Sequence, residues 1–69
     1  MTVRVEARGM RCPWPAVRLA RALRTAPQER EFEVRADDPA AASEMRIVAE
    51  TNGAALSVVG PNHFRIVRL

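Results

Sequence analysis

Lysine and tyrosine are absent from this 69-residue chain, and cysteine, histidine and tryptophan occur once each. Each absence removes a chemistry. Without Lys there is no Schiff base, no pyridoxal phosphate anchor and no phosphate-loop amine. Without Tyr there is no phenolic general acid. One Cys and one His cannot assemble a zinc site of Cys and His ligands within a single chain, and an intramolecular disulfide is impossible. No metal and no other cofactor is expected. No apolar run approaches the roughly 18 residues of a membrane span, and the N-terminal part carries Arg throughout with no signal-peptide core. Together with an unpaired thiol, this points to the reducing cytoplasm and away from the membrane.

Hydrophobic residues make up 48% of the chain, which favours a folded globule over a disordered segment. At this length one small domain, residues 1–69, is the limit, and its core is thin. Basic residues number 11, all of them Arg, against 8 acidic ones, for a net charge of +3 and a pI near 11.0. Such a balance invites an acidic or nucleic-acid partner. The excess is modest, and codon bias accounts for Arg-rich, Lys-free composition equally well, so the placement of the arginines matters more than their number.

Val3, Val5 and Ala7 alternate with Arg4, Glu6 and Arg8, the period of a strand with one buried face. Gly9 ends it. From Pro13 the spacing changes: Ala16, Leu19, Ala20 and Leu23 form one apolar helix stripe, which Pro27 stops. Phe32, Val34 and Ala36 predict a second half-buried strand. Asp38-Pro39 is a helix-start signal, Ala41, Met45, Val48 and Ala49 supply that helix's inner face, and Asn52-Gly53 ends it. Two further strands, residues 55–59 and 64–69, flank the breaker run Gly60-Pro61-Asn62-His63. The order βαβαββ predicts an α+β two-layer sandwich: a four-stranded mixed sheet with two helices on one face. The first two strands should be parallel and the last two antiparallel. The other sheet face, with Arg4, Glu6, Glu33, Arg35 and Arg65, is left open.

Gly9-Met10-Arg11-Cys12-Pro13-Trp14-Pro15 spans the junction between the first strand and the first helix, where functional groups often sit in mixed folds. With Pro13 at the first helical position, Cys12 becomes the N-cap residue, and the Trp14 amide is its natural donor because Pro15 has none. A thiolate there would meet the positive helix end and Arg11, so a depressed thiol pKa is expected. Such a thiol is expected to lack a local base. His63 is distant and reads as a solvated turn residue. The alternative for Cys12 is a buried small hydrophobe, but cysteine is a poor cap, and its use here suggests that the sulfur is wanted.

Ala7-Arg8-Gly9-Met10-Arg11-Cys12-Pro13-Trp14-Pro15 resembles the Gly-Leu-x-Cys-Pro-x-Pro signature of the TusA (SirA-like) sulfur-carrier family. Ala36-Asp37-Asp38-Pro39-Ala40 resembles that family's Asp-Asp-Pro turn before the second helix. The resemblance implies a two-layer α/β sandwich in which Cys12 accepts sulfane sulfur as a persulfide, supported by Gly9, Arg11, Pro13, Trp14 and Pro15 at the helix start. It implies a cysteine desulfurase or rhodanese-like protein as donor. The acceptor would be a downstream protein serving tRNA thiolation, molybdenum-cofactor pathways or sulfur oxidation. Such a carrier is a sulfurtransferase-type relay and not a stand-alone enzyme. The chain departs from the family pattern at Glu6, Trp14, Gln28 and Ala54-Ala55, which bears on the partner surface more than on the thiol.

Arg18, Arg21 and Arg24 recur every third residue on the polar side of the first helix and, with Arg11, would extend a basic band from Cys12 toward an acidic partner. An ordinary solvated helix face is the plainer explanation. Trp14 beside Cys12 is either a docking anchor or a ring folded back on the helix. A small RNA-binding or regulatory module with a structural Cys12 is the competing function. Aromatic content of 4% and the small charge excess count against direct nucleic-acid binding.

Overall fold

The computed structural model describes residues 2–69. Strand β1 (Thr2–Glu6) leads to helix α1 (Trp14–Thr25), strand β2 (Glu31–Arg35), helix α2 (Ala41–Thr51) and strands β3 (Ala54–Gly60) and β4 (His63–Arg68). The sheet order is β1-β2-β4-β3, with β1 parallel to β2 and the other two pairs antiparallel. A helical crossover returns the chain parallel, whereas the tight turn through Pro61 and Asn62 reverses it. Asn62 takes the left-handed conformation (φ 55°) that this turn requires. The expected element order and strand directions are those observed.

Period-2 patterning decides which sheet face is buried. Val5, Phe32, Val34, Leu56, Phe64 and Ile66 are buried against Ala16, Leu19 and Leu23 of α1 and Ala41, Met45 and Ala49 of α2. On the opposite face, Arg4, Glu33 and Arg65 align as one row of alternating charge, and Glu6, Arg35 and His63 align in the next. His63, expected as a solvated turn residue, instead opens β4. It is half-buried, with Nε2 3.3 Å from Glu33 Oε1. Phe32 and Phe64 lie on the buried face, so among the described residues the open face carries neither Phe nor Trp on which a base could stack.

Arg68 continues the β4 alternation onto the helix side. Its guanidinium donates to the carbonyls of Leu23 (2.6 Å), Ala26 (2.9 Å) and Glu29 (2.7 Å), and lies 5.3 Å from the Phe32 ring centre. One cation thus ties the last turn of α1 to the loop that follows it, at a helix end where the dipole favours positive charge. Arg68→Met should lower stability by about 1.5–3 kcal/mol, read as a lower urea midpoint. Arg68→Lys should recover only part of it, because an ammonium cannot span the three carbonyls. Equal midpoints for wild type and Arg68→Met would refute this role.

Candidate functional site

Because β1 and β2 are parallel, both strand-to-helix junctions lie at the same end of the sheet, and the Cys12 loop meets the start of α2 there. Glu6 and Arg8 brace the approach through Arg8 Nε and NH2 at 2.8 and 2.9 Å, which pushes the Glu6 carboxyl down to about 2. Gly9 then adopts φ 81°, a conformation that a side chain would strain. Its amide donates to Asp37 Oδ1 (3.0 Å), and the Cys12 amide donates to Asp38 Oδ2 (3.3 Å). The Asp-Asp-Pro block therefore does more than start a helix: each aspartate holds one amide of the cysteine loop. Asp38 also accepts the Ala40 amide at Oδ1 (2.8 Å), so α2 begins after Ala40, two residues later than Pro39 suggests.

Helix α1 also begins one residue later than the sequence spacing predicts. The Trp14 amide donates to the Arg11 carbonyl (2.8 Å), closing a tight turn, and the N-cap position falls on Pro13. Cys12 stands outside the helix and does not cap it. Its side chain is exposed and unpaired with another cysteine.

The surroundings of the sulfur reverse the expected field. Cys12 Sγ lies 2.7 Å from both Glu44 Oε1 and Oε2, with the thiol donating to the carboxylate. That hydrogen bond, then partial loss of hydration, then the negative charges of Glu44 and Asp38 push the thiol up to about 11. The depressed pKa expected from the helix end and Arg11 is therefore overturned: the helix starts beyond the cysteine, and two carboxylates dominate the site. The expectation that no base stands near Cys12 is also corrected. Glu44 escapes sequence reading because α2 brings it across 32 positions. Its one local signal, an acidic residue in the first helical turn, has an ordinary dipole explanation.

Trp14 is 58% exposed. With Arg18 and Arg21 it lines a groove of about 570 Å³ between α1 and β1. Arg24 lies outside that lining, as does Arg11, so the four arginines do not form one groove wall. Pro15 is buried beneath the helix start, whereas Pro13 is exposed. Among the described residues no cluster of acidic, His and Cys side chains could hold a metal, and no helix is long and apolar enough to cross a membrane.

A family model described as "Sulfurtransferase TusA" matches residues 3–67, nearly the whole chain and both junction motifs. Neither the curated proteins nor the solved structures gave a match.

Proposed function

The chain belongs to the sulfurtransferase TusA family, and from that premise we propose that Cys12 takes up sulfane sulfur as a persulfide and hands it to an acceptor protein. Membership makes the protein a sulfur carrier that works with partner proteins. The single observation supporting Cys12 as the carrying residue is that the only thiol in the chain is exposed at the loop held by Asp37 and Asp38. With no second cysteine to resolve it, a persulfide there is not discharged internally.

In the uptake step the Cys12 sulfur attacks the outer sulfur of the donor's persulfide. A sulfur–sulfur bond forms at Cys12 as the donor's own breaks, and the donor cysteine leaves as a thiolate. The Cys12 proton passes to the Glu44 carboxylate, which already accepts its hydrogen bond, and then to the departing thiolate. No net oxidation occurs, because the sulfane sulfur only changes cysteine. The resting carboxylate keeps the thiol protonated, so the proton moves to Glu44 only as the sulfur attacks within the donor complex. A cysteine desulfurase or rhodanese-like protein fits the donor. A protein of tRNA thiolation, molybdenum-cofactor synthesis or sulfur oxidation fits the acceptor, and the cytoplasm is the compartment where such a thiol stays reduced.

Incubation with a cysteine desulfurase and cysteine, followed by intact mass spectrometry, should show addition of one reducible sulfur atom. Cys12→Ser should show none. Addition that survives Cys12→Ser, or no addition with desulfurase and rhodanese donors alike, would reject the assignment.

A further inference from the structure

Strand β1 is an edge strand, with β2 on one side and the α1 groove on the other. The Ala7 amide donates to the Arg35 carbonyl of β2 (2.8 Å), so by strand alternation the amides and carbonyls of Arg4 and Glu6 turn toward the groove. The opposite edge differs. Strand β3 carries a register shift between Val58 and Gly60, the kind of bulge that blunts an edge, whereas β1 keeps regular register along its whole length.

Val3, Val5 and Val17 give the groove an apolar floor, and Trp14 stands at its Cys12 end. Arg4, Arg18 and Arg21 supply positive charge, while the one acidic lining residue, Glu6, is already paired with Arg8. We propose that this groove receives an extended acidic segment of a sulfur-relay partner, added as a strand to the outer edge of β1. Alternate side chains of the segment would pack toward Val17 and Trp14, and the intervening carboxylates would meet Arg4 on the open face. Arg18 and Arg21 select the same charge at the rim. Docking there sets the partner's backbone beside Trp14, two residues from the sulfur. That the partner belongs to a sulfur relay rests on the proposed carriage by Cys12; the strand addition does not.

The test uses isotope-labelled protein and an acetylated peptide of alternating Val and Glu. Saturable shifts at the Arg4 and Glu6 amides and the Trp14 indole are expected, lost when Lys replaces Glu or when alternate peptide amides are methylated. Arg18→Glu combined with Arg21→Glu should weaken binding at least about tenfold, with Arg18→Gln and Arg21→Gln as milder variants should folding suffer. Shifts centred on β3, equal binding of the Lys peptide, or no saturation in the millimolar range would overturn the proposal. Saturating peptide should also slow sulfur loading from a desulfurase. Binding without any effect on loading would overturn the relay assignment of the groove. Peptide binding is read without a sulfur donor, so its failure leaves Cys12 carriage standing, and failed loading with intact binding counts against carriage alone.

Discussion

In a Glu44→Gln variant, alkylation of Cys12 at neutral pH should accelerate about tenfold, and its pH profile should move from about 11 toward the ordinary thiol value near 8.5. The carboxylate accepts the thiol proton through oxygens 2.7 Å away and repels a thiolate, whereas a neutral amide does neither. A drop of about two pH units raises the thiolate fraction about 100-fold below both values, and the lower basicity then costs about a factor of ten in nucleophilicity. Glu44→Asp, with a shorter reach, should fall between. The measurement is the rate of carboxamidomethylation across pH. An unchanged profile in Glu44→Gln would refute the carboxylate as the controlling group. The stability consequence has a definite sign. A thiol raised in the folded state stabilises the fold while protonated, so this contribution is complete below the unfolded thiol value and is lost as pH rises to about 11.

Phe32→Ala should lower stability by about 3–5 kcal/mol, most of what a domain of this size possesses. Phe32 is fully buried on β2, which is paired on both sides, and its ring lies under Arg68. Its removal opens a cavity at the middle of a thin core, and the neighbouring strands are held by ladders on either side, which limits collapse. The melting temperature should fall by roughly 15–30 °C, followed by circular dichroism. Phe32→Leu should cost about 1 kcal/mol, because most of the volume remains. A Phe32→Ala protein that melts with the wild type would show that the core does not depend on this ring.

The fold was largely legible because its determinants are local and periodic. Val3, Val5 and Ala7, then Phe32 and Val34, repeat every second residue, while Leu19 and Leu23, then Met45 and Ala49, repeat with the helix. A helix between two strands makes them parallel through handedness alone. Boundaries were less legible. Helix α1 starts at Trp14 because the Arg11 carbonyl takes that amide, and α2 starts at Ala41 because Asp38 closes its own turn first. The strand order, with β4 between β2 and β3, follows from long-range pairing that no local pattern states.

The sequence by itself determined the α+β architecture, the exclusion of lysine, tyrosine, disulfide and zinc-site chemistry, and Cys12 as the one thiol, set in a motif shared with sulfur carriers. Only the tertiary structure decided the electrostatic state of that thiol. Reasoning along the chain sees Arg11 and a helix start beside Cys12. Parallel β1 and β2 instead bring both helix starts to one end of the sheet, where Glu44 and Asp38 reach the cysteine loop. Hydrogen bonding and charge act through space within a few ångströms, so a carboxylate remote in sequence outweighs a cation next to the cysteine in the chain.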